Sequence, residues 1–264
     1  MRARVLTALG GIPLLIIIVG FGGHRLFSLF VFVIVVAALW EYFSIAFPHR
    51  WRERILGIIL GTLVSLAVLV PGLPEPGAFL ALVLTGALSV YLFFGGELGE
   101  RYKYLGGIFL GALYIGYLFP HFSLIHRAPD GTRWVFFVLL VVFAGDTAGY
   151  FFGMAMGRRK LYPEISPGKT IAGTLGSLGT SLVAGLLGSF FFLTTVFWVE
   201  ALFLSLIVNI LGQVGDLFES WVKRVFSVKD SGFLLPGHGG LLDRLDGLIF
   251  PAVFIIYYMR LFHS

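Results

Sequence analysis

Long apolar runs separated by short polar turns recur along the whole chain, and their lengths are those of membrane-spanning helices. Such a helix needs about 20 mostly apolar residues, because each residue advances about 1.5 Å through a hydrocarbon core about 30 Å thick. Nine segments qualify, near 3–21, 25–46, 55–71, 77–94, 103–124, 133–156, 171–193, 196–221 and 247–262. Pro71, Pro74 and Pro76 punctuate the turn between the third and fourth, and Gly95-Gly96 and Gly106-Gly107 flank the start of the fifth. No internal repeat or low-complexity linker interrupts the pattern. It predicts an all-α, polytopic integral membrane protein with about nine transmembrane helices, forming a single domain over 1–264.

Composition agrees with this pattern. Only 12% of the 264 residues are charged and 58% are hydrophobic, whereas a soluble domain carries roughly 25% charged residues. The absence of cysteine excludes disulfides, thiolate metal sites and cysteine nucleophiles. The 28 Phe and 35 Gly suit membrane helices. Gly173, Gly176, Gly179, Gly185 and Gly188 of the seventh span suit close packing inside the subunit or at a homodimer seam. Met1-Arg-Ala-Arg and the apolar run after it resemble a secretory signal but lack an Ala-x-Ala-like cleavage site, so a retained first helix is expected.

The cations set an orientation. With the N-terminus in the cytoplasm, 15 of the 19 Lys and Arg residues fall on inside segments, leaving Arg25, Arg127, Arg133 and Arg260 outside. The expected location is the inner (plasma) membrane, multi-pass, with the polar chemistry facing the cytoplasm. The net charge of +5 reflects this bias, and no nucleic-acid module is visible.

Candidate chemistry concentrates in 144–264. Asp216, Glu219 and Lys223 share one face of the eighth span, and Asn209 and Gln213 extend that stripe. An interfacial helix end with snorkelling charges explains the same residues. Asp216 lies roughly 30 Å from the outer end of its helix, at the cytoplasmic interface. Asp146, beside Phe143, Ala144 and Gly145, lies well inside the sixth span. An unpaired carboxylate there is expensive, so it needs a partner, a metal or a polar cavity. Asp243 and Asp246, expected just before the ninth span, are spaced for Mg²⁺, which takes one or two carboxylates and recruits phosphate oxygens; helix capping is the plainer alternative. The glycine-rich Pro236–Gly240 run frees backbone N–H groups for an anion, and with Lys229 and Arg244 beside it the loop has the character of a phosphate cradle. His238 suits a donor or structural role better than that of a base. His24, His49, His121, His126 and His263 are scattered near helix ends, with no zinc pattern.

Gly168-Lys169-Thr170 resembles the tail of a P-loop, but Pro163 stands where the first glycine is required and a membrane helix precedes it. What survives is Ser166–Thr170 as a turn opening the seventh span, suited to an anion or to simple capping by Ser166 or Thr170. Glu41, between Trp40 and Tyr42, reads as a snorkelling acid in an aromatic belt.

The 27 residues from Ser220 to Asp246, with Val-Lys-Arg, Lys-Asp-x-Gly, Leu-Pro-x-His-Gly-Gly-Leu and Asp-Arg-Leu-Asp in order, resemble the signature of the phosphatidate cytidylyltransferases, or CDP-diglyceride synthases, without departure. Asp146-Thr-Ala-x-Tyr150 leading to Gly157-Arg158, and Ser166-Pro-x-Lys-Thr170, are similar to further elements of that family. The resemblance implies that CTP and phosphatidic acid give CDP-diacylglycerol and pyrophosphate with Mg²⁺, with CTP, lipid and bilayer as partners. On this reading Asp216, Lys229, Asp243 and Asp246 are catalytic, and Asp216, Asp243 and Asp246 hold metal with Glu219. Asp146 is assigned to a second metal or a polar network. Ser166, Lys169, Thr170, Lys223, Arg224, His238, Gly239, Gly240 and Arg244 bind substrate. A CTP-dependent polyprenol or dolichol kinase is the nearest rival, and an ion-coupled transporter the rival of another class.

Overall fold

The computed structural model describes residues 2–73, 75–232, 234 and 239–263, without the side chains of residues 2–9 and 12. The helices in chain order are α1 Arg2–Phe21, α2 Gly23–Ala46, α3 Trp51–Leu69, α4 Pro76–Leu92 and α5 Leu98–Gly111. A π-helical segment Ala112–Leu118 follows, then α6 His121–Arg127, α7 Gly131–Met156, α8 Ile171–Phe191, α9 Trp198–Val225 and α10 Leu242–Phe262. Every expected apolar segment coincides with helix, the fifth being assembled from α5, the π-helical segment and α6. Among the described residues, six helical stretches are long and apolar enough to cross a membrane: α2, the run Leu98–Arg127, α7, α8, α9 and α10. Helix α4, with 17 residues, is shorter than a full span. The chain is thus an all-α membrane protein. Large apolar side chains such as Val33, Ile59, Phe151, Leu187 and Phe203 remain exposed on it.

Two helix boundaries move in a way that matters. Helix α10 begins at Leu242, so Asp243 and Asp246 lie within its first turns and not ahead of it. Hydropathy registers the apolar stretch, but a helix extends past it when acids sit at its positive N-terminal end. Helix α9 likewise continues to Val225, with Lys223 and Arg224 in its last turn, where cations meet the negative end of the helix dipole.

The expected turn at 166–170 is a strand. Strands β1 Lys160–Tyr162 and β2 Ser166–Thr170 pair antiparallel, with Lys160 opposite Thr170 and Tyr162 opposite Ser166. Neither strand carries the apolar alternation that announces a sheet, so periodicity could not reveal it. Thr170 then caps α8, its Oγ1 accepting the Gly173 N–H at 3.1 Å; of the two capping candidates, Thr170 is the cap.

The chain forms two compact units. The first comprises 1–124 with 230–242, and the second 125–229 with 243–264. In the first, Val35, Leu39 and Phe43 of α2 are fully buried, as are Val64 of α3, Ile108 of α5 and Ile115 of the π-helical segment. Gly116 sits directly over the α3 backbone: a Cβ added there would meet the Gly61 carbonyl and lie 2.9 Å from Gly61 Cα. In the second unit, Phe137 and Val138 of α7, Leu204 and Val208 of α9, and Ile249 and Ala252 of α10 form the buried core.

Gly116 gives a direct test of this packing. Gly116→Val should destabilise the purified protein by about 1–3 kcal/mol or more, as overpacking against rigid backbone does, and lower its melting temperature in detergent. Gly86→Ala on α4, where an added Cβ meets nothing within 4 Å, should leave that temperature unchanged or raise it.

Candidate active site

Within the second unit, the N-terminal turns of α8 and α10, the C-terminal halves of α7 and α9, and the hairpin enclose a cavity of about 590 Å³. Asp146 and Gly149 of α7, Lys169 and Thr170 of β2, Gln213 and Asp216 of α9, and Asp243, Arg244 and Asp246 of α10 line it. Asp146 therefore has the polar cavity that its position in a membrane helix demanded. Its carboxylate passes close to Gly247, where an added Cβ would lie 3.8 Å from Asp146 Oδ2.

Charge on the cavity wall is paired across elements. Lys169 Nζ lies 2.9 Å from Asp216 Oδ2 and donates to the Gln213 carbonyl at 3.3 Å. The strand places this lysine: at position 169, one residue before the cap, its side chain reaches α9. Ser220 Oγ donates to the other Asp216 oxygen at 3.4 Å. Asp246 Oδ1 accepts the Gly247 N–H at 2.8 Å. Helix α10 can approach α9 this closely because glycines stand at the crossing. A Cβ at Gly212 would lie 3.0 Å from the Gly247 carbonyl, and one at Gly215 would meet the Asp246 carbonyl.

A second cluster sits beside the cavity. Lys223 Nζ lies 2.5 Å from Glu219 Oε2 and 2.6 Å from Asp243 Oδ1, and Glu219 is only 1% exposed. The expected pairing of Asp216, Glu219 and Lys223 along one face is thus divided. Asp216 turns to Lys169 on the cavity, and Glu219 turns to Lys223 away from it. Arg224 is exposed and donates from Nε to the Ile165 carbonyl at 3.1 Å, tying the hairpin to α9. Lys229 is exposed and does not line the cavity. Ser166 does line it. Gly239 and Gly240 belong to the first unit, with Gly239 in the left-handed region at φ +82° that favours glycine. His238 lies outside the described residues.

Beneath the cavity a polar chain crosses three helices. Gln213 Nε2 donates to Asn209 Oδ1 at 2.6 Å, and Asn209 Nδ2 reaches Ser177 Oγ and Ser181 Oγ, each at 2.8 Å. Ser181 Oγ in turn donates to the Val141 carbonyl at 2.8 Å. Asn209 is 4% exposed, so these bonds satisfy an amide that would otherwise be costly to bury. The serines escaped the sequence reading because a lone Ser on an apolar helix carries no signal. Only their spacing of four along α8 hints at a shared face.

Glu41 departs from its expected role. It is 3% exposed, and within the first unit its Oε2 accepts the Leu242 N–H at 2.9 Å and the Ser231 hydroxyl at 3.3 Å. A snorkelling acid keeps its charge in water; this one is buried against the loop whose residues dominate the sequence signature.

With this geometry in hand, the relatives can be compared. The model of the cytidylyltransferase family matches residues 2–262. The phosphatidate cytidylyltransferase of Staphylococcus haemolyticus is 34% identical over 258 residues, 95% of each chain. That of Brucella suis is 34% identical over 271 residues, 99% of this chain and 94% of the relative. That of Bacillus subtilis is 39% identical over 159 residues, 60% of this chain and 59% of the relative. By a match over nearly its whole length, the chain belongs to the cytidylyltransferase family.

Proposed function

We infer that this chain transfers the cytidylyl group of CTP to phosphatidate, giving CDP-diacylglycerol and pyrophosphate. Relatives bearing that activity in their names align over nearly the full chain. The observation that supports the reading is one cavity lined by the acids Asp146, Asp216 and Asp246 together with the cations Lys169 and Arg244. Two polyanions must meet in this reaction, and cations on one wall offset their repulsion. Phosphoryl-type transfer depends mainly on positioning and electrostatics, with little covalent work by side chains. A phosphate oxygen of phosphatidate forms a bond to the α-phosphorus of CTP. The bond from that phosphorus to the bridging oxygen breaks, and its electron pair leaves with pyrophosphate.

The acidic wall fits a divalent cation such as Mg²⁺. Among the described residues no three acid or histidine groups form a closed ligand cage. Mg²⁺ does not need one, since it takes one or two carboxylates and fills the rest with water and phosphate oxygens. Asp216 and Asp246 are the candidate holders, with Asp146 beside them. When bound, the ion offsets phosphate charge. Lys169 and Arg244 serve the phosphates directly, with Ser166 and Thr170 lining the same cavity and Lys229 available from its exposed position. Lys223 is assigned a different part, as the internal counter-ion of Glu219 and Asp243, and Arg224 holds the hairpin. A topology of nine membrane helices with the N-terminus in the cytoplasm would put this cavity on the CTP side of the plasma membrane, and the distribution of 15 of the 19 cations supports it.

Isotope position tests the reaction. Label from the α-phosphate of CTP should enter the lipid product, and label from the γ-phosphate should not. The reverse would make the chain a lipid kinase. The two charge clusters should separate by kinetics and stability. Asp246→Asn should keep the parent's melting temperature and lose most turnover. Lys223→Met strands a buried acid and should cost about 3–5 kcal/mol of stability, read as a lower melting temperature. The cysteine-free chain allows a topology test. A single cysteine placed as Glu164→Cys in the exposed hairpin turn should react with a membrane-impermeant thiol reagent in inverted vesicles. Thr195→Cys, between α8 and α9, should react only from the opposite face.

A further inference from the structure

Glu41 lies near the end of α2, far in sequence from every residue of the signature, yet its carboxylate is enclosed by that signature's loop. Besides the bonds from Leu242 N–H and Ser231 Oγ, two glycines close around it. A Cβ on Gly232 would stand 2.5 Å from Glu41 Oε1, and one on Gly240 would stand 2.7 Å from Oε2. Ser231 is 1% exposed and Gly240 is buried, so water does not replace these contacts. Glu41 Oε1 has no hydrogen-bond partner among the described residues. A carboxylate so enclosed is costly unless it is bonded, and a bond to a charged acceptor is worth more than one between neutral groups.

The position of the Leu242 N–H gives the contact its meaning. Leu242 is the first residue of α10, and the first N–H groups of a helix have no partner within it. A negative charge there is favoured by the helix dipole as well as by the bond itself. Glu41 therefore caps α10 from another helix and clasps the loop at both ends, at Ser231 where it begins and at Leu242 where it finishes. Asp243, Arg244 and Asp246 follow within the next turn of the chain. A Cβ on Gly240 would also meet Ser231 Oγ, so a larger residue at either glycine requires the Glu41 carboxylate or its partner to shift.

We propose that Glu41 is a positioning residue for cytidylyl transfer: its buried carboxylate fixes Ser231, Gly232, Gly240 and the Leu242 N–H from which α10 starts, without itself touching substrate. The inference rests on the transfer activity and is independent of which groups hold a cation.

The test uses the full chain in phosphatidate–detergent micelles with CTP and saturating Mg²⁺, comparing Glu41→Gln, Glu41→Ala and Ser231→Ala with the parent. Displacing reacting groups by about 1 Å costs on the order of 100-fold, so Glu41→Ala should lose at least about tenfold in kcat/KM by the same argument. Glu41→Gln, which keeps an acceptor of the same shape, should lose less. Amides of 231–242 should exchange hydrogen faster in both Glu41 variants, while peptides from α3, α8 and α9 exchange as in the parent. Ser231→Ala should weaken turnover alone but add little to Glu41→Ala, because both act through one clasp. Parent-like kcat/KM in Glu41→Ala overturns the proposal. So does lost turnover with unchanged exchange at 231–242, and so does faster exchange across the whole chain. Asp246→Asn serves as the reference: if it retains full turnover the cation assignment fails, while the exchange and rescue pattern of the Glu41 series still decides the role of Glu41.

Discussion

An ammonium shared between two carboxylates holds the chemically active end of the second unit together. Lys223 lies against Glu219 on its own helix and Asp243 on α10. Removing three charges from water is expensive, and only mutual attraction at close range offsets it. That condition allows little latitude: α9 and α10 must keep one separation and one register for Lys223 to serve both acids. The glycines at 212 and 215 permit the approach, and the charge cluster fixes it. Asp216 and Asp246, three residues from Glu219 and Asp243 respectively, inherit fixed places on the cavity wall.

A division of labour among like charges follows. Five acids and several cations stand within a few helical turns, yet they do not form one pool. Lys223 is held internally, Arg224 is bonded to the hairpin, and Lys169 bridges the cavity to Asp216. A lysine whose partner faces an open cavity can exchange that carboxylate for a phosphate at modest cost. A lysine held between the buried Glu219 and Asp243 cannot. The same residue type thus faces the cavity on the hairpin and serves as an internal counter-ion on α9.

Much of the fold was legible because crossing a membrane imposes a length and an apolarity that few other structures share. The segments near 133–156 and 171–193 were placed within two residues of α7 and α8 for that reason. Asp146 was legible too, since a carboxylate inside an apolar span demands explanation. What escaped detection lacks a local signature. The hairpin at 160–170 has no alternating pattern. The start of α10 lies in charged sequence that hydropathy ignores. Glu41 appeared ordinary because its neighbours Trp40 and Tyr42 suit an aromatic belt, and its true partners are about 190 to 201 positions away. Separation of that order is invisible to any window moved along one sequence.

The polar chain from Gln213 through Asn209 to Ser177 and Ser181 has a further consequence for motion. Successive residues on a helix point about 100° apart, so even a modest rotation of α9 would carry the Asn209 amide from its two hydroxyls into hydrocarbon. The chain of bonds thus works as a rotational stop on α9 against α8, with Asn209 about two turns from Asp216 along α9. The hairpin meets α9 through side chains instead, the Arg224 bond to the Ile165 carbonyl and the Lys169 contacts with Gln213 and Asp216.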